Sequence, residues 1–325
     1  MIVPAFWAEA RVQQREKGKQ VTVRRFGWSQ TSEAEAQANA QTRAEEALRK
    51  ILAGELLDRR ERKVPYNGAE GVPIREEIVA QHGEVIITRN SYGALCLNTP
   101  DVLFADVDFL GTGRAPSAFA VMFGLGCLSL GAGWYFHSVA LLYGLVLGSA
   151  VLAWPLAVMV RGLIRKLADD AERLPRERIA AFSATHPDWR LRVYRTPAGF
   201  RVLAMHRPFS PSEPAVAEFF SSLGTDPVYV TMCQRQNCFR ARVSPKPWRI
   251  GIEAHLKPQP GTWPVRPEAL PARRAWVEAY HAKAANFASC RFENEFGNGT
   301  VDERVQSVQT IHDQLCRAES DLPTA

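Results

Sequence analysis

The chain has 325 residues and a formal net charge of +6, and it contains neither an internal repeat nor a low-complexity segment. Residues 1–114 carry 16 basic and 16 acidic residues, so the whole excess of positive charge lies in residues 161–325. A basic surface attracts anionic lipid head groups, nucleic acid or nucleotide phosphates, and charge alone does not choose among them. The motifs exclude two enzyme classes, because the chain has neither the Gly-x4-Gly-Lys-Ser/Thr loop of P-loop ATPases nor a Gly-x-Ser-x-Gly nucleophile elbow.

One helix and several strands are predicted in the first third of the chain. Residues 19–28 are typical of a strand. Ser32 and Glu35 form a capping box that opens an Ala- and Glu-rich helix, which we expect to end near Gly54. Three further strand candidates are separated by turns and cover residues 84–89, 93–97 and 102–109.

A stretch of forty-six residues, Ala115 to Val160, contains no Asp, Glu, Lys or Arg. A single membrane-spanning helix needs about 20 apolar residues, so this length predicts two transmembrane helices joined by a tight turn. The spans would cover residues 117–134 and 139–160, with aromatic and polar side chains at residues 134–138 where the chain would emerge at the far interface. Glycines on both spans would let the two helix backbones approach closely.

Basic residues flank this predicted hairpin at Arg114, Arg161, Arg165 and Lys166. Lys and Arg near a span are retained on the cytoplasmic side. We therefore expect a multi-pass protein of the cell inner membrane, with two spans and both termini in the cytoplasm. The lipid bilayer is then an expected partner, and the six cysteines should be reduced thiols.

The remainder of the chain alternates helices and strands. A charged helix is predicted at residues 161–184, and a strand pair, a short helix and two more strands follow it. The strand pair covers residues 191–194 and 200–205, the helix residues 213–223, and the last two strands residues 228–232 and 239–243. This order predicts an α+β fold with a mixed or antiparallel sheet and flanking helices, interrupted by the inserted two-helix transmembrane hairpin.

The predicted organisation has five parts. A strand, helix and linker region comes first, followed by two parts of one cytosolic α+β domain on either side of the transmembrane hairpin, and by a C-terminal helical region. These parts cover residues 1–83, 84–114, 115–160, 161–250 and 251–325, with the hairpin as the third part.

Asp106 and Asp108 are the residues best suited to carry chemistry. Side chains two positions apart on a strand point to the same face, so both carboxylates can bind one divalent cation, Mg²⁺ or Mn²⁺, together with substrate phosphates. Two like charges placed close together after an apolar run repel each other unless a cation offsets them. The alternative is that both acidic residues lie at an exposed strand end and cap a turn.

Basic residues form a second constellation. Arg240 and Arg242 share one face of the last predicted strand, and Lys246 extends the positive surface. Guanidinium groups match phosphate oxygens in a two-point geometry, so these residues predict a phosphate-binding surface. The alternative is a solvated sheet face. A similar row lies in the preceding strand pair at Arg190, Arg192, Arg195 and Arg201.

The chain presents, in order, Asp106-Val107-Asp108 after an apolar run, a strand from Gly199 to Arg201, and Asp226 followed by an Arg- and Lys-bearing strand. This order resembles the catalytic core of the archaeo-eukaryotic primase superfamily. The resemblance implies that Asp106, Asp108 and Asp226 are catalytic residues that bind metal, and that the strand ending at Arg201 faces nucleotide phosphates. Arg201 replaces the histidine of the family's motif, so nucleotide binding is better supported than polymerisation.

We therefore expect a metal-dependent nucleotide- or phosphate-binding site of the nucleotidyltransferase type, with nucleotides or nucleic acid as partners. Two alternatives stay open. A membrane-associated glycosyltransferase would use the same Asp-x-Asp pair to hold the metal of a sugar nucleotide. A non-enzymatic tethered scaffold would bind a protein or lipid partner without any motif.

Cysteine and histidine spacings give only a weak indication of zinc. Cys233 and Cys238 are separated by four residues, and no clear second pair accompanies them. His312 and Cys316 lie one helical turn apart on a predicted helix at residues 301–316, whose apolar stripe indicates packing against the core rather than metal binding.

Overall fold

The computed structural model describes residues 3–16, 19–62, 72–109, 118–136 and 139–325. They form an α+β fold with antiparallel sheets, as predicted. The strands are β1 (Phe6–Glu16), β2 (Lys19–Ser29), β3 (Glu77–His82), β4 (Val85–Arg89), β5 (Leu95–Thr99), β6 (Phe104–Asp108), β7 (Leu191–Thr196), β8 (Gly199–Ala204), β9 (Phe239–Arg242) and β10 (Arg291–Phe296). The helices are α1 (Glu33–Leu52), α2 (Ala118–Tyr135), α3 (Val139–Thr185), α4 (Pro214–Leu223), α5 (Pro227–Gln236), α6 (Leu270–Ala284) and α7 (Glu303–Cys316).

The N-terminal hairpin of β1 and β2 packs against α1. Ser32 caps this helix, because its hydroxyl oxygen accepts a hydrogen bond from the backbone N–H of Glu35 at 3.2 Å. The predicted strand and capped helix are therefore confirmed. A Cβ atom on Gly27 would lie 2.1 Å from the backbone nitrogen of Ala40, so glycine is what allows β2 to lie directly against the helix.

Two four-stranded sheets position the candidate site. Their strand orders are β10-β7-β8-β6 and β3-β4-β5-β9, and β6 of the first sheet also contacts β9 of the second. β6 precedes α2 and α3 in the chain whereas β8 follows them, and the two strands pair with Asp106 opposite Arg201. The segment from α2 to α3 is thus inserted between two hydrogen-bonded strands.

The main hydrophobic core joins both sheets to α3, α4, α5 and α7. Tyr194 and Phe200 on the first sheet and Phe239 on the second are all buried in it. Trp189 links this core to α4, since its ring stacks on that of Phe219 with a centroid separation of 5.3 Å. The end of β6 is consequently held between well-packed layers, which fixes its position for the site described below.

The strand predicted at residues 228–232 is wrong, because this segment belongs to α5. Asp226 caps the helix by accepting a hydrogen bond on its Oδ1 atom from the Val228 N–H at 3.0 Å. Pro227 occupies the first turn, where its missing N–H is harmless and its fixed φ favours a helix. These two start signals outweigh the strand preference of the valines that follow.

The predicted transmembrane hairpin is also wrong. Within the described part of the chain, no helix combines the length and the apolar character that a membrane span requires. The integral-membrane assignment and the two-span inner-membrane localisation, with both termini cytoplasmic, are corrected accordingly. Part of the predicted turn, residues 137–138, lies outside the described residues.

The second helix differs most from the predicted hairpin. α2 has 18 residues and nearly the bounds of the first predicted span. α3 does not end with the charge-free stretch at Val160, because it continues as one helix of 47 residues through a charged segment. The two helices contact each other, and both expose apolar side chains such as Leu128 and Leu147.

His206 lies just after β8 and packs against aromatic rings, with its centroid 4.5 Å from that of Trp189 and 5.3 Å from that of Phe209. Burial is the main cause that lowers the pKa of His206 from 6.5 to about 4. The charge of Arg207 lowers it further, and Asp188 acts in the opposite direction. The folded protein therefore holds this imidazole in its neutral form.

We expect acidification to destabilise the protein through His206. Its folded pKa is lower than its unfolded pKa, so its contribution is complete above about pH 6.5 and is lost as the pH falls towards 4. Because the ring is partly exposed, the loss should be about 1 kcal/mol. The measurement is urea denaturation of the wild type and His206→Phe at pH 7.5 and pH 4.5. If the free energy of unfolding changes equally for both proteins between the two pH values, His206 does not make this contribution.

Candidate functional site

Asp106 and Asp108 lie on the end of β6, as expected from their spacing. Asp108 is exposed, and the Asp106 side chain is 33% exposed. Gly199 of β8 pairs with Asp108, and a Cβ atom there would lie 2.1 Å from the carbonyl oxygen of Val107. The glycine therefore allows β8 to approach the acidic end of β6 closely.

Asp226 joins this pair from a distant part of the chain. Its backbone N–H donates a hydrogen bond to the carbonyl oxygen of Asp106 at 3.1 Å. Although Asp108 is exposed, partial desolvation of its carboxyl group raises its pKa, and the negative charges of Asp106 and Asp226 raise it further. Lys246 and Arg242 lower the pKa of the same carboxyl group. Five of the seven predicted site residues thus lie close enough to interact electrostatically.

The three carboxylates do not yet have the geometry of a closed metal site. Across the described residues, the one group of potential ligands whose atoms all lie within 4.8 Å of one another contains no aspartate. One oxygen of Asp226 is also occupied as the cap of α5. A change in side-chain conformation is therefore needed before these three residues can bind one ion together.

Arg201 holds Asp106 in place and is not available to a ligand. It is 1% exposed, and its Nε and Nη2 atoms donate to the two carboxylate oxygens of Asp106 at 2.8 and 3.3 Å. Its Nη1 atom donates to the carbonyl oxygen of Arg242 at 2.8 Å. Although Arg201 was expected to face phosphates, these bonds make it a positioning residue that links β8 to β6 and β9.

Arg240 lies apart from the acidic residues, on the other sheet. Its Nη2 atom donates to both carboxylate oxygens of Glu76 at 2.8 and 2.6 Å, and its Nη1 atom donates to Asn98 at 3.1 Å. Glu76 is 2% exposed and also accepts a hydrogen bond from the Thr88 hydroxyl at 2.6 Å. The expected phosphate contact of Arg240 is thus replaced by a buried ion pair.

Arg242 and Lys246 do lie beside the aspartates, together with Arg249. Burial and the charges of Arg242 and Arg249 lower the pKa of Lys246. Asp108 and Asp106 raise the pKa of the same ammonium group. Nε of Arg242 and Nη1 of Arg249 are buried atoms without a hydrogen-bond partner among the described residues. Buried donors of this kind are normally satisfied, and both arginine side chains are also partly exposed and can bind anionic oxygens.

Two aromatic side chains border the basic residues. The ring of Tyr92 contacts that of Trp248, with centroids 5.2 Å apart, and the Lys246 ammonium group lies 5.5 Å from the Trp248 ring. Trp248 is 55% exposed, which leaves it free to stack on a planar ligand. The sequence does not connect Tyr92 with the site, because its contact with Trp248 arises only from tertiary packing.

The arrangement combines partly exposed carboxylates, cationic donors and an exposed aromatic ring at the junction of the two sheets. Carboxylates bind hard divalent cations such as Mg²⁺ or Mn²⁺, and the cationic groups bind phosphate oxygens. This set therefore fits a ligand that contains a phosphate chelated to a metal ion.

No family model, curated protein or solved structure matches the chain.

Proposed function

We propose that the protein binds a divalent cation together with a nucleoside polyphosphate at Asp106, Asp108 and Asp226, in the manner of a primase-like nucleotidyltransferase core. One observation carries the proposal: the hydrogen bond from Asp226 to Asp106 gathers three acidic residues beside the buried, unsatisfied guanidinium N–H groups of Arg242 and Arg249. Sequence order alone does not require these groups to meet.

Each residue has a distinct role in this proposal. Asp108 is the most exposed of the three carboxylates and would be the first ligand of Mg²⁺ or Mn²⁺. Arg201 would hold the Asp106 carboxylate in a fixed orientation, because its guanidinium group donates hydrogen bonds to both oxygens of Asp106. Arg242 and Lys246 would bind the phosphate oxygens, and Arg240 has no part in the site.

For a transfer reaction, the bound cation would neutralise charge that develops on the phosphoryl oxygens. The protein would supply orientation through Asp106, which Arg201 fixes, and further positive charge through Arg242 and Lys246. Electrostatic stabilisation and positioning make up most of the catalysis of phosphoryl transfer, and both are available from this set of residues.

Asp108→Asn should weaken cation binding and make the protein slightly more stable. The substitution removes one cation ligand and also the repulsion between Asp108 and the other two carboxylates. We expect at least about a tenfold weaker affinity for Mn²⁺, and a gain of about 0.5 kcal/mol in the free energy of unfolding without metal. Isothermal titration with Mn²⁺ and urea denaturation measure the two effects.

The matched control is Asp321→Asn, which removes an exposed carboxylate from the C-terminal segment. The control should bind Mn²⁺ with the affinity of the wild type. ATP should tighten Mn²⁺ binding in the wild type and in Asp321→Asn but not in Asp108→Asn. If Asp108→Asn and Asp321→Asn bind Mn²⁺ equally well, the proposed site is incorrect. Tighter binding of a sugar nucleotide than of ATP would support a glycosyltransferase instead, and binding of neither metal nor nucleotide would support a scaffold.

A further inference from the structure

Three buried side chains converge behind the candidate site, at Cys290, His312 and Cys316. One ligand atom of each lies within 4.8 Å of the other two, and none of the three residues is more than 1% exposed. Cys290 directly precedes β10, whereas His312 and Cys316 lie one turn apart at the end of α7. We call these residues the Cys2His cluster.

The histidine of the cluster is oriented as a metal ligand would be. Its Nδ1 atom lies 2.8 Å from a carboxylate oxygen of Asp313, so Nδ1 donates and the lone pair of Nε2 faces Cys316 and Arg201. Asp313 is itself held by the Nη2 atom of Arg192 at 3.0 Å. Histidines that bind zinc usually donate their other ring N–H to a carboxylate in this way.

The distances suit a zinc ion. With zinc bonds of about 2.3 Å to sulfur and about 2.0 Å to nitrogen, tetrahedral ligands lie roughly 3.5 to 3.8 Å apart. The Nε2 atom of His312 lies 3.4 Å from the Sγ atom of Cys316.

The charges are also compatible with a cation. Arg201 approaches the cluster, with its Nη1 atom 3.3 Å from Nε2 of His312, and its charge would oppose a metal ion if it were unpaired. Asp106 pairs with this guanidinium group, however, and two cysteine thiolates would neutralise Zn²⁺ in full.

We propose that Cys290, His312 and Cys316 bind one zinc ion, which fixes the end of α7 to the start of β10. The complete burial of the ligands indicates a structural rather than a catalytic site. The proposal is independent of the proposed function, since none of these three side chains belongs to the acidic site. It also differs from the spacing-based zinc candidate, because Cys233 and Cys238 do not belong to the cluster.

The test uses the full chain, purified with a reductant, equilibrated with Zn²⁺ and desalted before elemental analysis. We expect about one zinc ion per chain. Cys290→Ser and Cys316→Ser should weaken zinc affinity at least about 100-fold in competition with a chromophoric chelator, and Asp313→Asn about 10- to 100-fold. Cys233→Ser is the matched control, because it removes an equally buried thiol outside the cluster and should retain the zinc.

Cobalt provides a measurement on the wild type that does not depend on the folding of any variant. Co²⁺ held by two thiolates gives intense near-ultraviolet charge-transfer absorption, and we expect Zn²⁺ to displace it. The proposal is overturned if the reduced wild type binds neither Zn²⁺ nor Co²⁺. This holds even if Cys290 and Cys316 form a disulfide on oxidation. The proposal is also overturned if Cys316→Ser retains zinc and Cys233→Ser loses it.

Discussion

Replacing Asp106 with alanine is expected to lower the free energy of unfolding by about 3 kcal/mol. The substitution leaves the Arg201 guanidinium group, which is 1% exposed, without its carboxylate. Arg201 would keep its hydrogen bond to the Arg242 carbonyl oxygen, but no other carboxylate is paired with it in the described part of the structure. Urea denaturation followed by circular dichroism measures the change.

The same substitution should abolish Mn²⁺ binding, because Asp106 is both a proposed cation ligand and the partner of Arg201. Asp106→Asn separates the two effects. It keeps the size of the side chain and one oxygen acceptor for Arg201, so the loss of stability should be smaller while Mn²⁺ binding is still weakened. Equal Mn²⁺ affinity in Asp106→Asn and the wild type would show that this carboxylate is structural only.

Replacing Glu76 with alanine is expected to destabilise the protein by about 3–5 kcal/mol. Glu76 is 2% exposed, and both of its oxygens accept hydrogen bonds from the Nη2 atom of Arg240. The variant also removes the acceptor of the Thr88 hydroxyl. A double-mutant cycle with Arg240→Met, measured by urea denaturation, isolates the energy of the ion pair. If the changes in free energy of unfolding of the two single variants add up to that of the double variant, the two residues are not coupled.

Glu76→Ala also serves as a control for Asp106→Ala, because both variants break a buried ion pair. At a temperature where each variant stays folded, only Asp106→Ala should lose affinity for Mn²⁺. If Glu76→Ala loses the same affinity, the effect reflects general instability rather than a missing ligand, and the role of Asp106 as a ligand has no support.

Local patterns were sufficient to predict several elements of the protein. The alternation of residues on β6 places Asp106 and Asp108 on one face, and the capping box at Ser32 predicts the start of α1. Both rest on neighbouring residues, whose spacing in the chain determines their spacing in space. The α+β class follows from the order of such local elements.

The partners of the arginines could not be predicted, because they lie far away in the chain. Arg201 is 95 residues from Asp106, and Arg240 is 164 residues from Glu76. Alternation on a strand indicates which face a side chain occupies but not what lies opposite that face. Arg201 and Arg240 therefore looked like phosphate ligands in the sequence, although each is bound by a buried or partly buried carboxylate.

Two segments were assigned incorrectly because one local signal was given too much weight. The valines at 228 and 230 favour a strand, but the cap at Asp226 and the proline after it start a helix. The charge-free composition of residues 115–160 does not determine where a helix ends, and α3 continues past Val160 into the charged segment. The Cys2His cluster went unpredicted for a different reason, since Cys290 reaches α7 only through tertiary packing.

The position of bound Mn²⁺ in crystals grown with a non-hydrolysable analogue of ATP tests the proposed site most directly. We predict an anomalous difference peak about 2.0 to 2.6 Å from carboxylate oxygens of Asp106 and Asp108, with Asp226 beside it. The phosphates should contact Arg242 and Lys246. A peak away from these carboxylates, or an analogue bound elsewhere on the protein, would contradict the proposed site.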